Sequence, residues 1–286
     1  MDGEKRCAVV GGGAMGRQIG LNTAIHGYRV IVCETYAPAR ESLEAWKEEY
    51  LAGRIAKGRM TAEEVAGIKA RFSVTDDLEK ACEGADIVIE AIIEDKAAKT
   101  EVLGKISRLT RPDTLIATNS SFMVSSIFAP AVEHPERLAN LHYFMPALVM
   151  KLVEVVRGPH TSQETAERLM EFGRETGKVP VLVRKEEDGF IVNNVLKVIK
   201  EEAYRLVSEG VCSVEDLDRA VELGLGHPMG PFKIDDMNGL DVRWGVLKRR
   251  YEETGVRSYG YDMIREKVEE GKLGRKTGEG FYRYGA

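Results

Sequence analysis

The sequence is poor in features that would place it in a specialised class of protein. Its four cysteines stand singly along 286 residues, so no CxxC pair or other metal-ligand spacing is present. No apolar run approaches the ~18 residues of a membrane-spanning helix, and the chain has no charged tail or low-complexity tract. We therefore expect no metal site and no membrane partner, and we expect buried thiols in a reducing compartment.

Charge and composition narrow the class further. The net charge is -5 and no Lys/Arg cluster dominates a face, which argues against a nucleic-acid partner. The first strand-like run begins about six residues after Met1, which leaves no room for a signal peptide and predicts a cytoplasmic protein. With 43% hydrophobic and 30% charged residues, the chain is typical of a soluble protein with one large or two smaller domains.

An apolar run, a glycine-rich turn and a helical pattern follow one another at the start of the chain. The turn consists of Gly11, Gly12, Gly13, Ala14, Met15 and Gly16. An ordinary tight turn would also explain the glycines, but their position between strand and helix is that of a dinucleotide-binding fingerprint. Gly11 would allow the sharp turn, Gly13 the close approach of a pyrophosphate, and Gly16 the packing of helix on strand. We assign this turn, with Ala14 and Met15, to cofactor binding.

An acidic residue ends the next strand. The run Tyr28 to Cys33 leads into Glu34, eighteen positions after Gly16, where the fingerprint expects a carboxylate that accepts from the ribose hydroxyls. The same charge would repel a 2′-phosphate, so the sequence favours NAD over NADP. Arg40 is the one nearby guanidinium that could offset that charge.

Residues 37–71 read as two amphipathic helices with a break at residues 57–60, which predicts a helical hairpin inserted in the Rossmann pattern. Arg54, Lys57 and Arg59 gather near its tip. They would either meet the phosphates of an acyl carrier such as coenzyme A or form a solvated helix end.

Polar residues follow two predicted parallel strands. Glu94 lies just past the apolar run of residues 86–92, and Asn119, Ser120 and Ser121 follow the strand of residues 114–118. Open α/β sheets bind ligands at these carboxyl ends, so we predict that Glu94 and Asn119 contact the cofactor. A helix cap would account equally well for several of the serines near position 125.

The stretch of residues 141–156 carries a histidine and a glutamate on two predicted adjacent strands joined by a turn through Pro146. A return strand would bring His142 and Glu154 into contact. A carboxylate that holds one ring nitrogen leaves the other free to act as a base. We take this stretch as the centre of the chemistry, although a lone histidine is more often structural.

The alternation of strand and helix stops after the predicted strand of residues 179–183, and from Phe190 onward the pattern is helical. Later helices are predicted over residues 235–253 and 261–270. The predicted fold is α/β, a Rossmann-type, doubly wound, mostly parallel sheet with an inserted helical hairpin in residues 1–186, followed by an all-helical C-terminal domain in residues 187–286. The wide apolar face of this C-terminal domain either packs on a partner subunit or is buried within one subunit.

Several motifs in order resemble those of the L-3-hydroxyacyl-CoA dehydrogenases, including the short 3-hydroxybutyryl-CoA dehydrogenases. The resemblance spans nearly the whole chain and rests on residues 119–121 (NSS), 142–146 (HYFMP), 150–156 (MKLVEVV), 189–193 (GFIVN), 227–232 (HPMGPF) and 274–282 (GRKTGEGFY). It implies an active site of serine, histidine, glutamate and asparagine, matched by Ser120, His142, Glu154 and Asn193, with Ser121 as the neighbouring possibility for the serine. It also implies a homodimer formed through the helical part.

The sequence departs from the family pattern at three positions near these motifs. Met145 stands where the family usually has asparagine, Asp188 where it has proline, with one extra residue in the segment 185–188, and Asn194 where it has arginine. None of these changes removes a proposed active-site residue. Met145 does change what the site can hydrogen-bond, and therefore bears on the identity of the substrate.

The resemblance implies reversible, NAD-dependent oxidation of an L-3-hydroxyacyl-CoA in fatty acid metabolism. His142 would act as general base, Glu154 would orient it, and Ser120 and Asn193 would hydrogen-bond the reacting oxygens. A dehydrogenase of a free 3-hydroxy acid, such as a sugar acid or carnitine, is the alternative within the enzyme class. A dinucleotide-binding protein without turnover is the alternative outside it.

Overall fold

The computed structural model describes residues 4–285 and is built on one sheet of eight strands. In spatial order the strands are β3-β2-β1-β4-β5-β6-β7-β8. Their bounds are Arg6–Val10 (β1), Arg29–Cys33 (β2), Phe72–Thr75 (β3), Ile87–Glu90 (β4), Leu115–Thr118 (β5), Leu138–Tyr143 (β6), Leu152–Val156 (β7) and Val179–Val183 (β8). All neighbouring strands pair in parallel except β6 and β7, which are antiparallel.

The strand order explains where a ligand site forms. The chain starts in the middle of the sheet and winds outward first through β2 and β3, then returns to β4 on the other side of β1. The loops after β1 and β4 therefore diverge, which leaves a crevice at their carboxyl ends. The glycine turn follows β1 and Glu94 follows β4, so both predicted elements open onto this crevice.

Helices cover both faces of the sheet. Their bounds are Gly16–Ile25 (α1), Ala37–Ala56 (α2), Ala62–Arg71 (α3), Leu78–Cys82 (α4), Lys96–Leu109 (α5) and Gln163–Glu175 (α6). The helices α2 and α3 form the predicted hairpin. Thr61 starts α3 with a capping box, in which its hydroxyl accepts from the N–H of Glu64 at 3.1 Å and the Glu64 carboxylate accepts from the N–H of Thr61 at 2.7 Å.

Two apolar cores lie on opposite faces of the sheet. Val9 and Ile89 belong to one core, whereas their strand neighbours Val10 and Val88 belong to the other. Side chains alternate across a strand, so a strand buried on both faces reads as a continuous apolar run. Each fully buried aliphatic side chain stabilises the fold by ~1.5–3 kcal/mol. The strand predictions from apolar runs rest on this effect.

The chain divides into two compact units, the first ending at Ile191 and the second beginning at Val192. The helices of the second unit are Val192–Ser208 (α7), Val214–Gly224 (α8), Pro231–Asn238 (α9), Leu240–Thr254 (α10) and Tyr261–Glu269 (α11). The prediction of one helix over residues 235–253 was wrong. Gly239, at a φ of +97°, separates α9 from α10, because a backbone in that region cannot continue a right-handed helix.

Buried carboxylates hold the end of the chain against the second unit. Asp236, on α9, accepts from the N–H groups of Phe281 at 2.8 Å and Tyr282 at 2.9 Å, and from the hydroxyl of Tyr284 at 3.0 Å. Asp218, on α8, accepts from the hydroxyl of Tyr282 at 2.9 Å. These bonds give the C-terminal glycine and aromatic motif a structural role within this unit.

Candidate active site

The glycine turn has the geometry of a phosphate cradle. Gly11 lies at a φ of +105°, and a Cβ there would come within 2.6 Å of the Ala91 carbonyl oxygen. A Cβ on Gly16 would come within 1.8 Å of the Gly11 carbonyl oxygen, so α1 packs on β1 only with glycine at this position. Space is open around Gly13. Among the described residues, no side chain caps the N-terminus of α1, and a helix N-terminus favours a nearby anion.

Glu34 lies beside this turn. Its carboxylate accepts from the N–H groups of Gly12 at 2.8 Å and Tyr36 at 3.0 Å. The Arg40 guanidinium donates to the carbonyl oxygens of Glu34 and Thr35 and pairs with the carboxylate of Asp76 at 3.1 Å. Arg40 is therefore engaged by these two carbonyl oxygens and by Asp76.

A cavity of about 790 Å³ adjoins the turn. It is lined by Gly11, Gly13 and Glu34 from one side of the crevice and by Ile92 and residues of α5 from the other. Ligand pockets usually enclose ~300–1,000 Å³. The cavity is thus large enough for the adenosine part of a dinucleotide, and its glycine, carboxylate and apolar lining fits NAD.

Glu94 is itself exposed, but it pairs with Lys99, a member of a buried ion pair that sequence reasoning missed. The Lys99 Nζ lies 2.7 Å from Glu90 Oε1 and 3.3 Å from Glu94 Oε2, and Thr118 donates to Glu90 Oε2 at 2.6 Å. Glu90 and Lys99 are both completely buried. A glutamate inside an apolar strand needs a cationic partner. Glu90 could therefore have led to the prediction of a buried cation such as Lys99.

The two serines after β5 have different partners. The Ser120 hydroxyl donates to Glu94 Oε1, which also accepts from the N–H of Ser121 at 3.1 Å. The Ser121 hydroxyl instead lies 3.1 Å from Nε2 of His142. The motif match favoured Ser120 as the serine of the site. In the structure, Ser121 contacts the histidine and Ser120 contacts Glu94.

His142 and Glu154 meet across the antiparallel pair β6 and β7, where they are direct register partners. His142 Nδ1 lies 2.8 Å from Glu154 Oε2, and both side chains are buried. Glu154 Oε1 accepts from the N–H of Ile191 at 3.1 Å. The rings of Phe144 and Phe190 pack edge-on to the imidazole, with centroids 4.6 and 5.3 Å away. A carboxylate on Nδ1 leaves Nε2 to other partners, and the Ser121 hydroxyl lies within hydrogen-bond distance of it.

The remaining predicted residues are spread over both units. Asn119 Oδ1 accepts from the N–H of Tyr143 at 2.9 Å and so ties the end of β5 to the end of β6. Asn193 is the second residue of α7 in the second unit. The predicted basic residues do lie at the tip of the hairpin: Arg54 in the last turn of α2, and Lys57 and Arg59 just after it.

Residues 4–285 show neither a membrane-spanning helix nor a metal-binding cluster. No helix there is long and apolar enough to cross a bilayer. No group of three or more His, Cys, Asp or Glu side chains in that range is placed to hold a metal ion.

A doubly wound sheet with a dinucleotide cradle, next to a buried histidine and carboxylate pair, defines an NAD-dependent dehydrogenase. Residues 6–187 match the family model described as "3-hydroxyacyl-CoA dehydrogenase, NAD binding domain", and residues 189–284 match "3-hydroxyacyl-CoA dehydrogenase, C-terminal domain". The chain belongs to the 3-hydroxyacyl-CoA dehydrogenase family, and it is an oxidoreductase with NAD as cofactor. The resemblance noted in the sequence is confirmed.

Similar proteins extend over the whole chain. A "Probable 3-hydroxybutyryl-CoA dehydrogenase" of Bacillus subtilis (strain 168) is 38% identical, over 98% of this chain and 97% of its own. The structure of (S)-3-hydroxybutyryl-CoA dehydrogenase PaaH1 from Ralstonia eutropha matches with a TM-score of 0.89 at 32% identity, over 99% of this chain and all of that one. A diketoreductase structure, described by its dual catalysis of dicarbonyl compounds, has a TM-score of 0.88 at 29% identity, over 99% and 100% of the two chains.

Proposed function

We propose that the protein catalyses the reversible oxidation of short L-3-hydroxyacyl-CoA esters, such as 3-hydroxybutyryl-CoA, to 3-ketoacyl-CoA, with His142 as the general base. The observation that carries the proposal is the buried contact between His142, near the carboxyl end of β6, and Glu154. The glycine turn follows the carboxyl end of β1 in the same sheet. The names of the relatives support a CoA ester as the substrate.

The proton chemistry follows from the hydrogen bonds of the pair. Glu154 accepts from Nδ1–H of His142 and so fixes the tautomer whose lone pair is on Nε2. In the oxidative direction, neutral His142 takes the hydroxyl proton of the substrate, and Glu154 stabilises the imidazolium that forms. NAD, when bound, supplies the acceptor for the hydride. Burial strengthens the interaction of the pair because little water screens it.

The remaining assignments complete the site. We assign Ser121 as the hydroxyl that hydrogen-bonds the reacting oxygen and Ser120 as the group that holds Glu94 in place. Asn193 is the further residue that we assign to hydrogen bonding of the substrate. The residues assigned to NAD are Gly11, Gly13, Ala14, Met15, Gly16, Glu34, Glu94 and Asn119.

We further infer a two-domain, cytoplasmic homodimer that works in fatty acid metabolism. The predicted boundary at residues 186 and 187 lies within five residues of the division between the two compact units. The four cysteines are free thiols. Burial raises the pKa of Cys33 to about 11 and that of Cys82 to about 12, so both remain protonated, as suits a reducing compartment.

The test is oxidation of NADH with acetoacetyl-CoA and with free acetoacetate, for the wild type and His142→Gln. We expect activity with the CoA ester alone. In the variant, turnover should fall by ~10²- to 10⁴-fold, the usual contribution of a general base, while NADH still binds. Turnover within a few-fold of the wild type would remove His142 from the mechanism.

One observation favours a second candidate, a dehydrogenase of an acid or dicarbonyl compound without coenzyme A. Met145, three positions after His142, is 51% exposed, and its sulfur accepts from Gln18 Nε2 at 3.2 Å. A thioether replaces the amide that the family usually has here, and the diketoreductase shows this fold with dicarbonyl compounds. Equal rates with acetoacetate and its CoA ester would support this candidate.

A further inference from the structure

The segment of residues 184–191, which we call the linker segment, follows β8 and contains the departures from the family pattern near Asp188. It ends the first unit. One glutamate of the segment turns back onto the loop after β5. Glu186 Oε1 accepts from the hydroxyl of Ser125 at 2.8 Å and from the N–H of Ser126 at 2.9 Å. Ser125 is completely buried. The glutamate is therefore held by a fixed pair of donors and is not a freely moving surface side chain.

The surroundings of Glu186 are tightly packed. His160 Nε2 lies 3.4 Å from the Ser125 hydroxyl. A Cβ on Gly158 would come within 2.7 Å of Glu186 Oε1 and 2.5 Å of His160 Cε1, so glycine makes room for both side chains. Burial lowers the pKa of His160, which keeps its ring neutral at neutral pH and leaves hydrogen bonding as the main attachment of the glutamate.

The other end of the linker segment touches both members of the proposed catalytic pair. Phe190 is buried, its ring centroid lies 5.3 Å from that of His142, and its backbone has a φ of +54°. Its N–H donates to the Glu187 carbonyl oxygen at 2.9 Å, which closes a tight turn. The next residue, Ile191, donates its N–H to Glu154 Oε1 at 3.1 Å. A bulky residue holds such a backbone conformation only where its surroundings fix it.

We propose that Glu186 is a positioning residue for the His142 and Glu154 pair. It anchors the linker segment four residues before Phe190, so that the phenyl ring confines the imidazole and the N–H of Ile191 fixes the carboxylate. The proposal rests on the proposed function of this pair. Small displacements of a general base reduce turnover strongly, because proton transfer depends on a short and aligned contact.

The experiment compares Glu186→Ala with Glu186→Gln and with Glu187→Ala as the matched control. Glu187 is exposed and lies in the same segment, so its replacement removes the same charge without removing the anchor. We expect Glu186→Ala to lower kcat with acetoacetyl-CoA by about tenfold, with the KM for NADH changed by less than about twofold. Glu186→Gln retains an oxygen that accepts both bonds, so we expect it to recover most of kcat. The control should match the wild type.

A double-mutant cycle tests the anchor itself. If Ser125 and Glu186 act as one unit, Ser125→Ala combined with Glu186→Ala lowers kcat by no more than Glu186→Ala alone. The proposal would be overturned if the double variant lost kcat by the product of the two single losses. An unchanged kcat in Glu186→Ala would also overturn it. If Glu186→Ala fails to fold, Ser125→Ala is the deciding variant, because the bond from the Ser126 N–H to Glu186 remains in it. A change of threefold or less that is confined to KM would then count against the anchor.

Failure of this proposal is distinguishable from failure of the proposed function through His142→Gln. Near-normal turnover in that variant would mean that the pair is not catalytic, and the role of Glu186 would then fall with it. Loss of turnover in His142→Gln together with full kcat in Glu186→Ala would leave the proposed function intact and remove the positioning role alone.

Discussion

At the scale of single residues, the site depends on which of two adjacent serines meets the histidine. Successive side chains after a strand point in different directions, so one step along the chain changes the partner completely. Ser121 reaches His142, whereas Ser120 reaches Glu94 and its hydroxyl oxygen accepts from the N–H of Met123 at 2.9 Å. Ser120 is buried, whereas Ser121 is partly exposed.

We therefore predict that Ser121→Ala and Ser120→Ala act on different steps. Ser121→Ala removes the hydroxyl beside Nε2, so kcat with acetoacetyl-CoA should fall about tenfold or more while NADH affinity is unchanged. Ser120→Ala releases Glu94, so the main effect should be weaker NADH binding, measured by fluorescence titration. The reverse pattern, with kcat lost in Ser120→Ala alone, would restore Ser120 as the serine of the site.

At the scale of elements, a buried carboxylate of the second unit, Asp236, binds the C-terminal residues by hydrogen bonds. Asp236→Ala would leave two backbone N–H groups and one hydroxyl, all partly buried, without their acceptor. An unsatisfied group that is fully buried costs ~1–3 kcal/mol. We predict a loss of at least about 3 kcal/mol in the free energy of unfolding by urea. Asp241→Ala is the control, since it removes an exposed ion pair with Lys276 that is worth less than about 1 kcal/mol. Equal losses in both variants would show that Asp236 does not anchor the chain end.

The elements also show what local sequence could and could not predict. Apolar runs and the glycine turn predicted the sheet, because strands buried on both faces need continuous apolar residues. The break at Gly239 was missed, since a glycine inside a helical pattern is usually tolerated and only the backbone dihedral reveals the interruption. Lys99 was missed because its partners Glu90 and Glu94 meet it only after α5 folds back on β4.

At the scale of the whole molecule, the second unit exposes several apolar side chains. Val195 and Val198 lie three positions apart on one side of α7 and are 54% and 69% exposed, while Ala203 and Tyr204 are buried within the unit. Leu223 and Leu225 add to the exposed apolar surface. Large contiguous apolar patches on a protein surface mark sites of interaction with other molecules.

We predict that replacing Val195 and Val198 together by aspartate prevents dimerisation. Burying two carboxylates in an apolar interface is strongly unfavourable, so the variant should sediment at the 31.7 kDa of one chain, whereas the wild type should sediment at twice that mass. Lys197→Asp on the same helix is the matched control and should remain dimeric. A wild type that sediments as one chain at micromolar concentration would contradict the homodimer, and a dimeric double variant would move the interface away from α7.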